Sequence, residues 1–501
     1  MYKGFTGFHL VDAIHKMTME FRQGARWLRH QISGLTLVAI VTIVLFLLPT
    51  SAFGIEGLTV VQQRIIAIFA FATLMWILEP VPAWGTSIAI MAMLLFFASD
   101  SGIKWLCDPA QVGTLLSYKG IMACFADPVI MLFLGGFVLA IAATKTGLDV
   151  HLAKILLKPF GHKSEMVLLG FLLITGLFSM FISNTATAAM MLSFLAPVFK
   201  QLPANGKGRI AMALSIPVAA NLGGIGTPIG TPPNTIALKY LNDPEGLNLN
   251  IGFGEWMLMM VPLVILLLFI SWLVIKKIFP FTQKTVDLVI EGELKRDRKT
   301  KIVIVTFIVT VLLWLLDSFT GINTYTVALL PLAIFCTTGV IDRRDLEEIN
   351  WSVIWMVAGG FALGYAMNVS GLASLVVKSI PFDSFSPVLI LILSGLICYA
   401  LSNFISNSAT AALLMPILAV VCSAMGDKLA PIGGTAIVLI GVAIASSSAM
   451  VLPISTPPNA LAFATNLVKQ KDMAKIGLIV GIISIVLGYL FLYGFGKLQL
   501  L

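Results

Sequence analysis

One short polar sequence occurs twice in this chain, each time inside an apolar run. Ser-Asn-Thr at 183–185 and Ser-Asn-Ser at 406–408 lie in the matching segments SMFISNTATAA (179–189) and SNFISNSATAA (402–412). An unpaired hydroxyl or amide in hydrocarbon costs several kcal/mol, so such groups are usually buried in protein or line a ligand cavity. These two polar motifs therefore predict a symmetric binding site.

The polar motifs suit ligands that are themselves charged, because they supply hydroxyls and a carboxamide without fixed charge. The amide oxygen of Asn184 or Asn407 can coordinate a hard cation such as Na⁺ while its NH₂ group donates to a carboxylate. Ser, Asn and Thr also favour helix capping at a re-entrant turn. We expect both roles, since a helix cap exposed to a cavity is itself an anion site.

A second motif, Thr-Pro-Pro-Asn, also occurs twice, at 231–234 and 456–459. Two prolines inside an apolar run remove backbone donors and clash with the preceding turn, so the helix should unwind there. Carbonyls next to such a break can coordinate a cation, while the hydroxyl and the amides that begin the following half-helix can face an anion. These proline motifs therefore predict a second pair of ligand-binding elements.

Basic side chains are scarce around all four motifs. The basic residues from 164 to 275 are Lys200, Lys207, Arg209 and Lys239, and from 379 to 468 there is Lys428 alone; none lies in a motif. An anion bound here would take its counter-charge from half-helix N-termini and bound cations. Removing the cation would leave the anion uncompensated, which is a physical basis for obligatory coupling of the two ligands.

Catalytic functions are not expected. All five histidines lie before residue 163, and no motif contains an acidic residue, so a Ser-His-Asp triad is excluded. The glycine-rich segment 223–230 matches neither the dinucleotide-binding nor the Walker spacing. We expect no cofactor apart from Na⁺ as a coupling ion.

Membrane-spanning helices must hold these motifs. Hydrophobic residues make up 58% of the chain and charged residues 11%, which is typical of an all-α polytopic membrane protein. The net charge of +8 comes from basic residues that cluster between apolar runs, where they set orientation, so nucleic acid is not an expected partner. Apolar runs predict about eleven transmembrane helices, beginning near residues 32, 62, 84, 127, 210, 257, 302, 325, 351, 432 and 476.

The motifs interrupt four apolar stretches. The polar motifs divide 166–199 and 387–424, and each stretch predicts two half-length helices in a re-entrant hairpin. A pair of ordinary spans is the alternative, and both interpretations leave the topology unchanged. The proline motifs predict broken helices at 210–240 and 432–466.

The motifs recur in the same order at nearly constant separation. The first half contains, in this order, Gly-Gly-Phe at 135–137, a polar motif and a proline motif. The second half repeats the order, beginning with Gly-Gly-Phe at 359–361. Units of five crossings enter the membrane from opposite sides, so they form the inverted repeat that characterises secondary transporters. The predicted organisation is an N-terminal extension (1–30), a first transmembrane helix (31–60), repeat 1 (61–280), a basic linker (281–301) and repeat 2 (302–501).

Charge bias predicts the orientation. Lys and Arg concentrate in the N-terminal extension and in the linker, so both should be cytoplasmic. Six predicted crossings lie between them, which satisfies this condition. The five crossings that follow place the C-terminus outside.

Gly230 directly precedes the first proline motif, and Ser455 directly precedes the second. In these segments and in its polar motifs, the chain resembles the divalent anion/sodium symporter family. The resemblance covers nearly the whole chain after the N-terminal extension. It implies a homodimer, in which a scaffold domain makes the dimer contact. It also implies a transport domain, holding both hairpins and both broken helices, that moves across the membrane as an elevator.

The resemblance also implies ligand-binding residues. Ser402 and Ser408 stand where relatives commonly have Thr, which leaves the choice among dicarboxylate, tricarboxylate and sulfate open. The implied first sodium site is Ser179, Ser183, Asn184 and the carbonyl of Gly230, and the second is Ser402, Ser406, Asn407 and Ser455. The implied substrate-binding residues are Ser183, Asn184, Thr185, Thr231, Pro232, Ser406, Asn407, Ser408, Thr456 and Pro457.

These observations predict a transporter. We expect a symporter that imports a C4-dicarboxylate such as succinate, malate or fumarate with sodium across the plasma membrane, the inner membrane if the source is bacterial. Alternatives within transport are a sodium-independent dicarboxylate or citrate exchanger and a sodium-coupled citrate or sulfate transporter. A membrane-embedded hydrolase or a receptor without transport is the alternative from another class.

Overall fold

The computed structural model describes residues 32–108, 112–204, 206–244, 246–288, 294–295, 297–379 and 386–497. The predicted N-terminal extension (1–30) lies outside the described residues, as does part of the linker. Within those described, the chain is helical and contains no extended strand. The prediction of an all-α polytopic membrane protein is confirmed.

Twenty-two α-helices are found in the described residues. The first half contains α1 (Ile32–Leu47), α2 (Val60–Leu78), α3 (Ala83–Ala98), α4 (Tyr118–Ala123), α5 (Pro128–Thr146), α6 (Leu148–Leu157), α7 (Ser164–Ser179), α8 (Asn184–Gln201), α9 (Lys207–Gly223), α10 (Pro232–Leu241) and α11 (Phe253–Ile278). The second half contains α12 (Arg298–Leu315), α13 (Asp317–Thr320), α14 (Thr324–Thr337), α15 (Arg343–Glu347), α16 (Trp351–Val369), α17 (Leu372–Ser379), α18 (Pro387–Ser402), α19 (Asn407–Met425), α20 (Thr435–Ser447), α21 (Pro457–Ala464) and α22 (Gln470–Lys497).

Seven helical segments of the described chain are long and apolar enough to cross a membrane. Six shorter apolar helices accompany them, so the number of crossings is not fixed by length alone, and eleven stays a prediction. The seven segments are Val60–Leu78, Tyr118–Thr146, Lys207–Gly226, Phe253–Ile278, Trp351–Val369, Asn407–Ile432 and Gln470–Lys497.

The two polar motifs lie at turns between paired helices, α7 with α8 and α18 with α19. At 1.5 Å per residue, the 16 residues of α7 or α18 extend about 24 Å, less than the roughly 30 Å hydrocarbon core. Each turn ends in a serine cap: Ser183 accepts from the Ala186 N–H at 3.3 Å, and Ser406 accepts from the Ala409 N–H at 3.2 Å. The expected capping role of the motifs is present at both turns.

The proline motifs lie where a helix stops and restarts. The backbone is extended at Thr231 (φ −150°) and Thr456 (φ −144°), between α9 and α10 and between α20 and α21. The Asn of each motif holds its break together, because its Nδ2 donates to carbonyls of the unwound segment. Asn234 reaches Ile225 and Thr227 at 3.2 and 2.8 Å, and Asn459 reaches Met450 and Leu452 at 2.8 and 2.9 Å.

The two halves pack crosswise. In the first half, α8 packs on α9 and also on α21 of the second half. In the second half, α19 packs on α20 and also on α10 of the first half. Each helical hairpin (α7–α8 or α18–α19) therefore packs on the first segment of the broken helix in its own half (α9 or α20). It also packs on the second segment of the broken helix in the other half (α21 or α10). These eight helices, α7–α10 and α18–α21, are called the hairpin body.

The helices α3, α5, α14 and α16, called the scaffold helices, also pair across the halves. α5 packs on α14, and α16 packs on α3. Both contacts use a glycine of the repeated Gly-Gly-Phe segment. A Cβ at Gly135 would overlap the carbonyl of Ala328, and a Cβ at Gly359 would overlap the Ser87 side chain. Close approach of the helices explains why glycine occupies both positions.

Candidate functional site

A cavity of about 290 Å³ lies between the hairpin turns, the helix breaks and the scaffold helices. It brings together the two polar motifs and the two proline motifs, although the members of each pair lie in different halves of the sequence. All ten predicted substrate-binding residues line it: Ser183, Asn184, Thr185, Thr231, Pro232, Ser406, Asn407, Ser408, Thr456 and Pro457.

Six helices begin at the cavity wall: α8, α10, α19 and α21 of the hairpin body, and the scaffold helices α3 and α16. The N–H groups of a first helical turn lack partners within the helix, and each helix N-terminus carries roughly half a positive charge. α10 and α21 each begin with two prolines, which have no N–H, so these two helices contribute mainly through their dipoles. No charged side chain is found among the described residues that line the cavity. The arrangement can therefore stabilise an anion through backbone dipoles rather than through Arg or Lys.

Oxygen atoms of the first predicted sodium site converge beside Asn184. Ser179 is fully buried, and its Oγ lies 2.5 Å from Asn184 Oδ1 and donates to the Ala220 carbonyl at 2.7 Å. The same end of the Asn184 amide lies 3.3 Å from the Ala220 carbonyl and 3.1 Å from the Gly230 carbonyl. With its NH₂ turned inward, Asn184 donates to these oxygens. With its oxygen inward, four oxygens face one another, an arrangement that a bound cation would satisfy.

The second predicted sodium site contains an unpaired amide oxygen. Asn407 Oδ1 is buried and has no hydrogen-bond partner in the part of the chain that the structure describes. At the backbone of the same residue, Ser446 Oγ donates to the Asn407 carbonyl at 2.8 Å and accepts from Ser402 Oγ at 3.3 Å. A buried unpaired oxygen is costly unless a donor or a cation faces it.

Ser455 binds the second hairpin to the second break. Its Oγ donates to the Asn403 carbonyl at 2.9 Å and accepts from the Leu452 N–H at 3.0 Å. Ser455 also lines the cavity, together with Ser406 and Asn407 of its predicted set. Ser183, Asn184 and Gly230 of the first set line the cavity as well, whereas Ser179 and Ser402 lie buried behind it.

Several cavity residues lie outside the polar and proline motifs and were not predicted. Asn221 lines the cavity from the last turn of α9, and Asn350 and Ser352 line it from the start of α16. The unpredicted apolar residues of the wall include Trp84, Phe133, Val353 and Met356. Phe137 also lines it, and its place in the repeated Gly-Gly-Phe segment is the one signal that could have identified it.

The family model described as the sodium:sulfate symporter transmembrane region matches residues 29–500. Two sodium-dependent dicarboxylate transporters, from Staphylococcus saprophyticus and from Staphylococcus aureus strain USA300, are each 29% identical to the chain over 487 residues. Each alignment covers 90% of this chain and 89% of the relative.

Two solved transporter structures share the fold. The YdaH transporter of Alcanivorax borkumensis has a TM-score of 0.55 at 11% identity, over 84% of this chain and 99% of that one. MtrF of Neisseria gonorrhoeae has a TM-score of 0.53 at 15% identity, over 82% and 94%. With the family match across nearly the whole sequence, the chain belongs to the divalent anion/sodium symporter family.

Proposed function

We propose that this protein is a sodium-coupled symporter that imports C4-dicarboxylates such as succinate, malate and fumarate across the plasma membrane, the inner membrane if the source is bacterial. One observation carries the proposal: a cavity without charged side chains among its described residues, on which six helix N-termini converge, lies beside the oxygen cluster at Asn184 and the buried unpaired oxygen of Asn407. The names of the two staphylococcal relatives support the same substrate class and ion.

Helix dipoles favour joint binding of the two ligands. The N-termini of α8, α10, α19 and α21 face the cavity, whereas α7, α9, α18 and α20 end close to the predicted sodium sites. Each helix end carries roughly half an elementary charge, positive at the N-terminus and negative at the C-terminus. The first turns of α3 and α16 add two more positive ends on the scaffold side of the cavity. The N-termini therefore favour a dianion in the cavity, while the C-termini favour cations beside it. Two sodium ions and one dicarboxylate together form a neutral set.

The chemistry of the cavity wall favours transport over catalysis. The lining offers hydroxyls, amides and apolar groups, and none of its described residues is Asp, Glu, Lys, Arg or His, so a general base is not found among them. Succinate bound here would meet donors at each carboxylate, and its methylene groups would face Phe133, Phe137 and Met356. Transport without chemical conversion needs no more than this.

Movement of the hairpin body against the scaffold helices would provide alternating access. The scaffold wall of the cavity consists of Ala83 and Trp84 in the first turn of α3, Ser352, Val353 and Met356 near the start of α16, and Phe133 and Phe137 on α5. With the N-terminus in the cytoplasm, the first turns of α3 and α16 are at the cytoplasmic side, which would place the opening of the cavity there. We include an elevator movement, a homodimer and an external C-terminus in the proposal.

Uptake of radiolabelled succinate by proteoliposomes tests the proposal. An inward sodium gradient should drive accumulation above equilibrium, and replacing sodium with choline should abolish it. Unlabelled malate and fumarate should compete with succinate more strongly than citrate or sulfate. Uptake that ignores sodium but requires internal dicarboxylate would instead identify an exchanger. Preferential competition by citrate or sulfate would overturn the C4 assignment.

A further inference from the structure

Asn221 contacts the second helix break from the opposite half of the chain. It is 2% exposed, lies in the last turn of α9, and lines the cavity together with Thr456. Its Nδ2 lies 3.1 Å from Thr456 Oγ1 and 3.3 Å from Asn459 Oδ1. Both N–H bonds of this amide group are therefore directed at the second proline motif.

The direction of these hydrogen bonds is determined by the backbone. Asn459 Nδ2 donates to the carbonyls of Met450 and Leu452, so its Oδ1 must face Asn221. An amide oxygen accepts but does not donate, so the Asn221 group that faces it must be NH₂. The two backbone carbonyls thus fix the orientation of Asn459, which fixes that of Asn221.

The contacts with Asn221 and Asn459 also determine whether the Thr456 hydroxyl donates or accepts a hydrogen bond in the cavity. Its oxygen accepts from Asn221 Nδ2 at 3.1 Å and from the Asn459 N–H at 3.3 Å. A hydroxyl has two lone pairs and one hydrogen, so both lone pairs are engaged and the hydrogen is left to donate. This hydroxyl donates to none of the described residues, and Thr456 lines the cavity.

We propose that Asn221 is a positioning residue that fixes the Thr456 hydroxyl as a hydrogen-bond donor to the anion bound in the cavity. The inference rests on the proposed function, since it requires an anion at this site. A hydroxyl that is already oriented makes a charge-assisted bond to a carboxylate without first breaking another hydrogen bond. The Asn221 side chain itself need not touch the anion.

The first half of the chain lacks this arrangement. Thr231 has no side-chain capping bond, and Asn234 Oδ1 has no hydrogen-bond partner among the described residues. Ser446 precedes the second proline motif by as many positions as Asn221 precedes the first, but its hydroxyl donates to the Asn407 carbonyl instead. The site is therefore asymmetric: Thr456 is held as a donor, whereas the Thr231 hydroxyl is not held by an equivalent amide.

A double-mutant cycle tests the inference in proteoliposomes, with Asn221→Leu, Thr456→Val and the double variant. Loss of the oriented donor should raise KM for the anion about tenfold in each single variant, which corresponds to one charge-assisted hydrogen bond. In the Thr456→Val background, Asn221→Leu should change KM less than twofold, because the hydroxyl it orients is absent. Thr456→Ser, which keeps the hydroxyl, should remain close to wild type and sensitive to Asn221→Leu.

Ser215→Ala is the matched control, because Ser215 is buried on the same helix and, among the described residues, its hydroxyl bonds only to the Met212 carbonyl. It should leave KM unchanged. KM effects of Asn221→Leu and Thr456→Val that multiply would overturn the proposal, as would a loss in Vmax alone. If Asn221→Leu does not fold, Asn221→Ser provides the same cycle, since a serine too short to reach Thr456 leaves that hydroxyl unoriented.

The cycle separates this proposal from the proposed function. It is performed with whichever of succinate, citrate and sulfate the wild-type protein transports, with or without sodium. A wild-type protein that prefers sulfate would disprove the dicarboxylate assignment and leave the cycle interpretable. Independent KM effects at Asn221 and Thr456 in a protein that does import succinate with sodium would disprove the role of Asn221 alone.

Discussion

Lys239 donates to Asp127 at 2.7 Å, and this ion pair joins the hairpin body to the scaffold helices. Asp127 also caps α5 by accepting from the Val129 N–H at 3.0 Å. The ammonium of Lys239 lies 5.8 Å from the ring centre of Phe361 on α16. One residue near the end of α10 therefore contacts both α5 and α16, and a movement of the hairpin body would have to break these contacts.

Neutralising either partner of this pair should destabilise the observed arrangement. The Asp127 side chain is 9% exposed and that of Lys239 is 30% exposed, so we expect Lys239→Met or Asp127→Asn to cost about 1–2 kcal/mol each. Asn retains the helix-capping ability of Asp127, so the change isolates the charge. Thermal unfolding in detergent measures the loss. The double variant should lose little more than either single one, and simple addition of the two losses would contradict a direct interaction.

Removing the carboxamide from either polar motif should abolish sodium-coupled uptake. Asn184→Ala and Asn407→Ala each remove the group proposed to contact cation and anion together, so succinate uptake should fall at least about tenfold. Asn368→Ala is the control, because Asn368 is exposed on α16 away from the cavity. Size-exclusion chromatography establishes that the variants fold. Wild-type sodium activation in both variants would remove these residues from the mechanism.

Sodium should stabilise the protein without substrate. A ligand at 100 times its dissociation constant stabilises the native state by about 2.7 kcal/mol per site, so exchanging sodium for choline should lower the melting temperature. Asn407→Ala should reduce this difference, because the unpaired Oδ1 of Asn407 is part of the second proposed site. Equal melting temperatures in sodium and choline at saturating concentrations would contradict binding of sodium to the empty transporter.

The two glycine contacts of the scaffold predict a pair of matched substitutions. Gly135→Ala and Gly359→Ala place a methyl group against Ala328 and Ser87, which should cost about 1–3 kcal/mol of stability each. Gly494 lies within α22, where a Cβ meets open space. Gly494→Ala should therefore be neutral or stabilising by up to about 1 kcal/mol. Thermal unfolding in detergent compares the three variants, and equal melting temperatures would show that the close approach of the scaffold helices does not require glycine.

The motif residues were predictable because polar groups in apolar runs have few physical explanations. Ser-Asn-Thr and Thr-Pro-Pro-Asn therefore indicated the turns and the breaks, and the structure brings all four to one cavity. Trp84, Phe133 and Met356 could not be identified in this way, since an apolar residue in an apolar run gives no indication that it faces a ligand. Asn221 is polar, but its role depends on a contact with Asn459, which lies in the other half of the sequence.

The crosswise packing of the two halves could likewise not be predicted from the sequence. Adjacent segments are the obvious partners of each hairpin, and α7 and α18 do pack on α9 and α20 of their own halves. The contacts of α8 with α21 and of α19 with α10 arise from the three-dimensional arrangement of the halves. Local patterns determine where a helix breaks but not which distant half-helix will lie against it.

This exchange of half-helices has a consequence for biogenesis. The wall beside the first hairpin is completed by α21, which ends at residue 464 of 501. Until α21 has been synthesised, the serines and the asparagine of that hairpin remain only partly buried, in the translocon or in the lipid. We expect quality control to recognise late truncations as readily as early ones, because a chain that ends before the second proline motif leaves these polar groups exposed.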